Sequence, residues 1–483
     1  MRKLIIGLLI LLITNVLMAC VSDPTSSLNP TTLSTAMPTS LETSFETTIP
    51  TTDLLSSEPG FTYQPIAVSQ TVISEAEKSF LFFYEAANAN PESVGYGLIT
   101  DRINVDSLVM GPASIASVGF GLASLPVGVE NGWITYEEGL ERALGTLDTL
   151  ADMQRTHGFY YHFVNMANGY RYGSSEVSII DTALMIAGAI VAGEYFGGEA
   201  KAKMLTLYQT IEWDWYFDEV RTMFYMGYSP ENGFGGHWDM YAEQLLLYVL
   251  AAASEDFSVG KPAYDMMKYA STKKSFGTSD SFYVSYPGTL FTYQFSHAFL
   301  DFRNWRDEEE VDWFDNSVQA SIAAYDYAQY MADRYLTLGE DAWGMTASDG
   351  PDGYRAYGNL PAVGQIAIDG TLAPCGAIGS LVFTPELSLD AIEHYASISR
   401  LQSQYGFRDS FHLGIQEDAP SGTIRPSATI PVEGWFATDV IGIDKGITLL
   451  MIENYRSQLV WHYFMQSDLV QTGLEVLGFT YLP

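Results

Sequence analysis

Positive charge is what this chain has least of. Its 483 residues carry 23 Lys and Arg against 58 Asp and Glu, a formal charge of −35. A field of that sign repels phosphate backbones and excludes nucleic acid as a partner. Charged residues still make up only 17% of the chain, so the imbalance comes from missing bases and not from a polar, unfolded composition. An uncharged polymer is indifferent to such a field, and a neutral polysaccharide fits it better than an anionic one. Cysteine is nearly absent too. Cys20 and Cys375 are the only two, so no intramolecular disulfide is possible once Cys20 is modified. The seven histidines are scattered, and His157 and His162 are badly spaced for two ligands on one helix face; neither a catalytic metal nor another cofactor is expected. Gly-rich phosphate loops, a nucleophile elbow and fixed-period repeats are missing as well. The "STKK" at 271–274 matches a Ser-x-x-Lys pattern without its companion motifs.

Apolar residues are plentiful, at 47% hydrophobic and 14% aromatic, enough for a large core. Residues 1–19, "MRKLIIGLLILLITNVLMA", combine two bases, an apolar run and a small residue before Cys20, the pattern of an export signal. The tetrapeptide "LMAC" resembles the bacterial lipobox, which implies that Cys20 becomes the lipidated first residue. An uncleaved membrane helix is the plainer alternative. From Val21 to about Gly60 more than half the residues are Ser, Thr or Pro. Such a segment cannot offset its conformational entropy by burial, so 20–64 is expected to be an extended tether. Residues 65–483 read as one domain, placed outside the cytoplasm and held at the membrane by lipid.

Helical signals recur through that domain. Ser74 with Glu77, and Thr135 with Glu138, have capping-box spacing before apolar runs. In the second, Leu140, Ala143, Leu144, Leu147 and Leu150 share a face. Further helices are expected near 111–124, 175–196, 199–212, 240–254, 261–273, 291–303, 311–335, 387–404, 446–455 and 467–476. Strand alternation is scarce, with "GFYYHFV" and "DSFYVSYP" as short hairpin pieces. A dozen helices joined by aromatic, Gly-rich loops predict an all-α domain, for which an (α/α) toroid is the natural closed form. Its inner helices would aim their N-terminal turns at a central cavity, where the dipole tolerates anions.

Carboxylates in aromatic company are the chemical signal. In "HWDMYAEQLLLYVLA" a continuous helix puts Glu243 on one stripe with Leu246, Leu247 and Leu250, and no Lys or Arg falls within four residues of Asp239 and Glu243. Trp238 and Tyr241 flank them. Asp349 lies in "WGMTASDGPDGY" with Trp343 and Tyr354, and Asp409 in "QYGFRDSFHL" with Tyr405 and Phe407. Rings stack on sugar faces while carboxylates bond hydroxyls, so this mixture suits a glycan cleft. Each acid also has a plainer reading. Asp239 is a candidate N-cap; Glu243 a core carboxylate paired with Arg102 or Arg303; Asp181 a structural residue of an apolar helix; Glu176 a first-turn anion; Asp409 an ion-pair partner near Arg408; Asp444 a turn or cap residue.

"PASIASVGFGLASLPVGVENGWIT", "HGFYYHF", "SEVSIIDTAL", "HWDMYAEQLLLYVLA", "WGMTASDGPDGY", "YGFRDSF" and "IDKGITLLMIEN" resemble, in this order, the bacterial glucoamylase-like family that contains endo-β-1,2-glucanases, glycoside hydrolase family 144. The resemblance spans nearly all of residues 70–483. It implies an (α/α)6 barrel with short β-hairpin loops, no metal, and hydrolysis of β-1,2-glucan with inversion. By motif it implies Glu243 as general acid, Glu176 and Asp181 as cleft acids, and Asp409 on the base side. This chain departs from the pattern at Ala242, in the loop after Ala253, at Cys375 and at His412. Two rival functions remain on the sequence: a lipoprotein that captures glycan without cleaving it, and a related glycosidase or phosphorylase of another linkage.

Overall fold

The computed structural model describes residues 61–482. The export signal, Cys20 and nearly all of the tether lie outside the described residues. Those residues form a mostly helical domain with thirteen α-helices: α1 (Gln70–Glu85), α2 (Ile115–Glu130), α3 (Tyr136–Asp152), α4 (Ile179–Phe196), α5 (Gly198–Gln209), α6 (Leu245–Ala252), α7 (Gly260–Ala270), α8 (Trp313–Met331), α9 (Pro374–Ile378), α10 (Pro385–Ser397), α11 (Gly442–Arg456), α12 (Leu459–Met465) and α13 (Asp468–Val476).

Two kinds of helix alternate along the chain. The sequences of α2, α4 and α6 are apolar all round, and such helices must be covered on every side; α2 is buried from Ile115 to Gly128 and α6 over its whole length. α9 is fully buried as well, and α11 nearly so. By contrast α3, α5, α7 and α10 each keep a solvent face. Helix α4 is long and apolar enough to cross a membrane, but 83% of it is buried inside this fold. α2 and α4 pack against each other so closely that a Cβ on Gly188 would come 1.8 Å from the Gly119 carbonyl oxygen. α11 lies against α1 and α2, α9 against α11, and α6 against α4 and α7.

The capping box at Thr135 forms: the Glu138 N–H donates to Thr135 Oγ1 (3.2 Å) and the Thr135 N–H to Glu138 Oε2 (2.8 Å). The one expected at Ser74 does not. The apolar stripe of α1 starts at Val72, so the helix begins at Gln70, and Ser69 caps it by accepting the Val72 N–H (3.4 Å). The helix expected over 291–303 is replaced by two 3-10 turns, Leu290–Tyr293 and Ser296–Ala298. Side chains here compete with the helical ladder: Thr292 Oγ1 donates to the Thr289 carbonyl (2.7 Å), and Gln294 Nε2 donates to Gly376 O (2.7 Å). The short helices α9 and α12 were not anticipated, being under two turns of usable periodicity.

The strands form small antiparallel sheets, most of two strands. The largest joins Val177–Ser178, Phe217–Asp218, Met223–Ser229 and Gly233–His237. "GFYYHFV" and "DSFYVSYP" supply the strands Phe163–Val164 and Phe282–Tyr283.

Candidate active site

Several short strands run straight into buried helices. Ala113–Ser114 leads into α2, Val177–Ser178 into α4 and Asp439–Ile441 into α11. Backbone bonds tie these starts together. Ile115 N–H donates to His162 O (3.1 Å), His162 N–H to Glu176 O (2.9 Å) and Gly442 N–H to Asp101 O (2.7 Å). Helix N-termini thus gather at one end of the bundle, where their dipoles favour negative side chains. Acids collect there.

At the start of α4, Ser178 caps the helix by accepting the Asp181 N–H (3.2 Å), and its hydroxyl donates to the Asp181 carboxylate. Asp181 is therefore a first-turn residue, 8% exposed, and not the mid-helix group its apolar context suggested. His162 lies between two acids, with Nδ1 2.9 Å from Glu176 Oε1 and Nε2 3.6 Å from Asp181 Oδ1. Burial alone would lower the imidazole; the carboxylates of Asp181 and Glu176 overcome it and push the pKa up to about 9. Burial raises Asp181; it works the same way at Glu176, but the hydrogen bond and charge of His162, with smaller help from the backbone and Arg171, together overcome it and hold Glu176 below the usual range. His162 had been read only as a poor metal ligand, and nothing local in the sequence marks it as the cation of this cluster.

Glu243 overturns its expected setting. Helix α6 begins at Leu245, so Glu243 lies in the bend before the helix and not on a leucine stripe. Three distant contacts hold the bend open: Trp238 N–H donates to Phe224 O (2.9 Å), Tyr241 N–H to Ser271 Oγ (2.7 Å) and Ser296 Oγ to the Glu243 carbonyl (2.5 Å). Ser296 Oγ also accepts the Leu246 N–H (3.0 Å), capping α6 from another segment. The Glu243 side chain keeps a partial opening to solvent. Desolvation, with a smaller push from the Asp181 charge, carries its pKa up to about 7. The arginines considered as partners are engaged elsewhere, Arg102 with Asp101, Asp349 and Asp439, and Arg303 with Asp301. Asp239 is half-buried with a carboxyl raised by desolvation; it caps no helix, because α6 starts too far downstream.

On the other side, Arg102 Nη1 donates to both Asp349 oxygens at 3.0 Å. The Asp349 N–H in turn donates to Asp409 Oδ2 (2.7 Å). Asp409 is 3% exposed and makes no ion pair among the described residues; burial, then the charges of Asp444 and Asp349, put its carboxyl well above the usual range. Asp444, expected as a turn or cap residue, is buried in the first turn of α11 and raised by burial to about 6. Cys375 Sγ donates to its Oδ1 (3.3 Å).

The aromatic expectations divide. Tyr241 stacks on Trp313 (5.2 Å), Trp343 donates to the Leu387 carbonyl (3.3 Å), Tyr405 packs edge-on against Phe82 and Phe407 against Tyr395. All four are buried core rings, so none offers a face to a sugar. Trp238 is buried as well, with its indole N–H unpartnered. Tyr354 keeps a partial opening. The half-buried rings that flank the site were missed. Trp215, Tyr225, Tyr228 and Phe234 pack on one another at 4.6–4.9 Å on and beside the Met223–His237 hairpin. That hairpin pairs Gly227 with Ser178, next to Glu176. "MFYMGYSPENGFGGH" carries the signal, aromatic residues either side of a Pro- and Gly-containing turn.

Residues 236–468 match the family model described as "Putative glucoamylase", a span holding Glu243, Asp349, Asp409 and Asp444. The chain is similar to the glucoamylase-like family. Over 86% of its length it superposes on 99% of the endo-β-1,2-glucanase of Chitinophaga pinensis with TM-score 0.72 and 27% identity. A β-1,2-glucanase structure from Parabacteroides distasonis gives TM-score 0.72 and 25% identity, over 86% of this chain and 60% of that one. The exo-β-1,2-glucooligosaccharide sophorohydrolase of the same organism is 26% identical over 454 residues, 86% of this chain. The present chain spans 58% of that curated relative's length. His162, Glu176 and Asp181 fall outside the stretch this glucoamylase-like model covers, and only the fold brings the Asp181 charge within range of Glu243.

Proposed function

We propose that this chain is a glycoside hydrolase acting on β-1,2-glucan by an inverting acid/base mechanism. The observation that carries the proposal is Glu243: a desolvated carboxyl with a partial opening, no cationic partner among the described residues and a pKa of about 7, in a chain whose fold matches β-1,2-glucanases. A carboxyl of that kind keeps its proton near neutrality, as a general acid requires.

Glu243 donates its proton to the departing glycosidic oxygen. Asp409 takes the proton of the water that attacks C1 from the opposite face, so the anomeric centre inverts. Glu176, Asp181, Asp239, Asp349 and Tyr354 bond sugar hydroxyls or hold their partners in place. The rings of the Met223–His237 hairpin supply the stacking surface. The alternation of buried and half-exposed helices closes as an (α/α)6 toroid, with the two 3-10 turns at 290–298 in one inner place. Cys20, once lipidated, tethers the enzyme outside the cytoplasm.

The test is digestion of linear β-1,2-glucan by the pure protein, with anomeric configuration read by proton NMR. Release of α-configured product supports the reading. Absence of cleavage, with retained binding, would make the chain a glycan-capture protein, and cleavage only with phosphate a phosphorylase. A ladder of products against disaccharide alone separates endo from exo action, the two modes found among the relatives.

A further inference from the structure

Asp409 and Asp444 come from different segments yet lie within hydrogen-bond reach of each other. Each has one oxygen already occupied. Asp409 Oδ2 accepts the Asp349 N–H (2.7 Å) and Asp444 Oδ1 accepts the Cys375 thiol (3.3 Å). The oxygens left over, Asp409 Oδ1 and Asp444 Oδ2, are buried with no donor from any neighbouring residue. Ionised carboxylates only accept, so two of them can bond each other only through a proton.

The charged groups around the pair are committed elsewhere. Lys445 Nζ is held by Glu75 Oε1 (2.9 Å), Arg408 by Asp106 (2.7 Å), and Arg102 by Asp101, Asp349 and Asp439. Among the described residues no cation bonds either carboxylate, and the Lys445 charge that favours ionised Asp444 is shared with Glu75, so two adjacent negative charges would be costly in a low-dielectric site. The cavity here, bounded by Glu75, Cys375, Phe407, Asp409, Asp444 and Lys445, measures about 10 Å³. It has room for about one water and none for a sugar ring, so Asp444 acts only through Asp409.

We propose that Asp444 and Cys375 are positioning residues for Asp409: the two aspartates form one carboxyl pair bridged by a single proton, and the thiol orients Asp444 within it. The inference rests on the reading of Asp409 as the base. In the reaction the attacking water gives a proton to the pair as its oxygen bonds C1; the C1–O bond to the leaving sugar breaks and that oxygen takes the Glu243 proton. The pair then holds two protons and returns one to solvent. Its bridging proton keeps Asp409 aimed, and burial, which raises both carboxyls, keeps the proton in place at neutral pH.

Infrared spectra of the substrate-free protein test the pair directly. In a Glu243→Gln background, which removes the carboxyl raised to about 7 outside the pair, a buried carboxylic-acid C=O absorption that depends on both aspartates is expected at pH 7. It disappears on adding either Asp444→Asn or Asp409→Asn. In the otherwise unaltered enzyme, Asp444→Asn is expected to lower kcat about tenfold or more with KM within about threefold. Cys375→Ser, which retains a donor, keeps most activity, and Cys375→Ala loses more. An absorption missing from the parent, or unmoved by Asp444→Asn in protein whose thermal unfolding shows it folded, overturns the inference, as does wild-type kcat in Asp444→Asn. If the unaltered enzyme leaves β-1,2-glucan intact, the functional reading fails while the infrared result still decides the pair.

Discussion

Glu243 and Asp409 are both carboxyls raised by burial, yet they occupy opposite kinds of corner. Glu243 stands nearly alone, in a bend at the head of α6, partly open, with its own backbone and the charge of Asp181 as lesser influences beside burial. Asp409 is closed in, tied to Asp349 on one side and on the other to Asp444, which Cys375 holds in turn. The first loses solvent and gains only a bond to its own backbone; the second loses solvent and gains a network. Desolvation alone suits a group that must give up a proton. A shared network suits a group that must receive one.

The strongest way to break this comparison is Glu243→Gln. Hydrolysis is expected to fall by about a hundredfold or more, with the protein still folded. The same variant reports the cost of the site. A folded-state pKa of about 7 against the ordinary 4.5 means ionised Glu243 weakens the fold: its contribution is intact below about pH 4.5 and lost as pH rises through 7. Glu243→Gln should therefore unfold at a higher temperature than wild type at pH 8 and at the same temperature near pH 4. The kcat/KM profile is likewise expected to fall above about pH 7, and activity unchanged to pH 9 would remove Glu243 from the acid's place.

His162 sharpens the contrast, being a cation placed between Glu176 and Asp181. His162→Gln is expected to cost about tenfold in kcat/KM. Its pKa is raised from 6.5 to about 9, so its stabilisation is complete below about pH 6.5 and disappears as pH rises through 9. Thermal unfolding followed across that window should decline in wild type and flatten in His162→Gln. The smallest effect on the reaction is expected at the core rings. Trp343→Phe should lower the unfolding temperature with KM unchanged, whereas Tyr354→Ala should raise KM with little change in unfolding.

Much of this was legible in the sequence because it depends on local pattern. Thr135 and Glu138 mark a helix start that forms as expected, and the all-round apolar runs of α2 and α4 mark helices that must be buried. Asp239 and Glu243 could be named for the same reason, having aromatic neighbours and no base within four residues, and Asp349 and Asp409 by their aromatic neighbours; Glu176 and Asp181 took their place in the cleft from the family resemblance. What failed was anything set by a contact from elsewhere. The periodicity of "AEQLLLYVLA" continues back through Glu243, yet Ser271, Ser296 and Phe224 end the helix at Leu245. Tyr241, Trp343, Tyr405 and Phe407 look like sugar platforms in sequence and are packing residues in space.

The sequence by itself determined a helical, acid-rich chain, which helices lie inside, and which carboxylates stand without local counter-charge, since spacing and composition are properties of neighbours along the chain. Only the tertiary structure decided that His162 faces Asp181, that Glu243 sits in a bend, and that Asp444 meets Asp409. The physical reason is that desolvation and hydrogen bonding at a buried group are sums over everything packed around it, and those neighbours come from segments far apart in the chain.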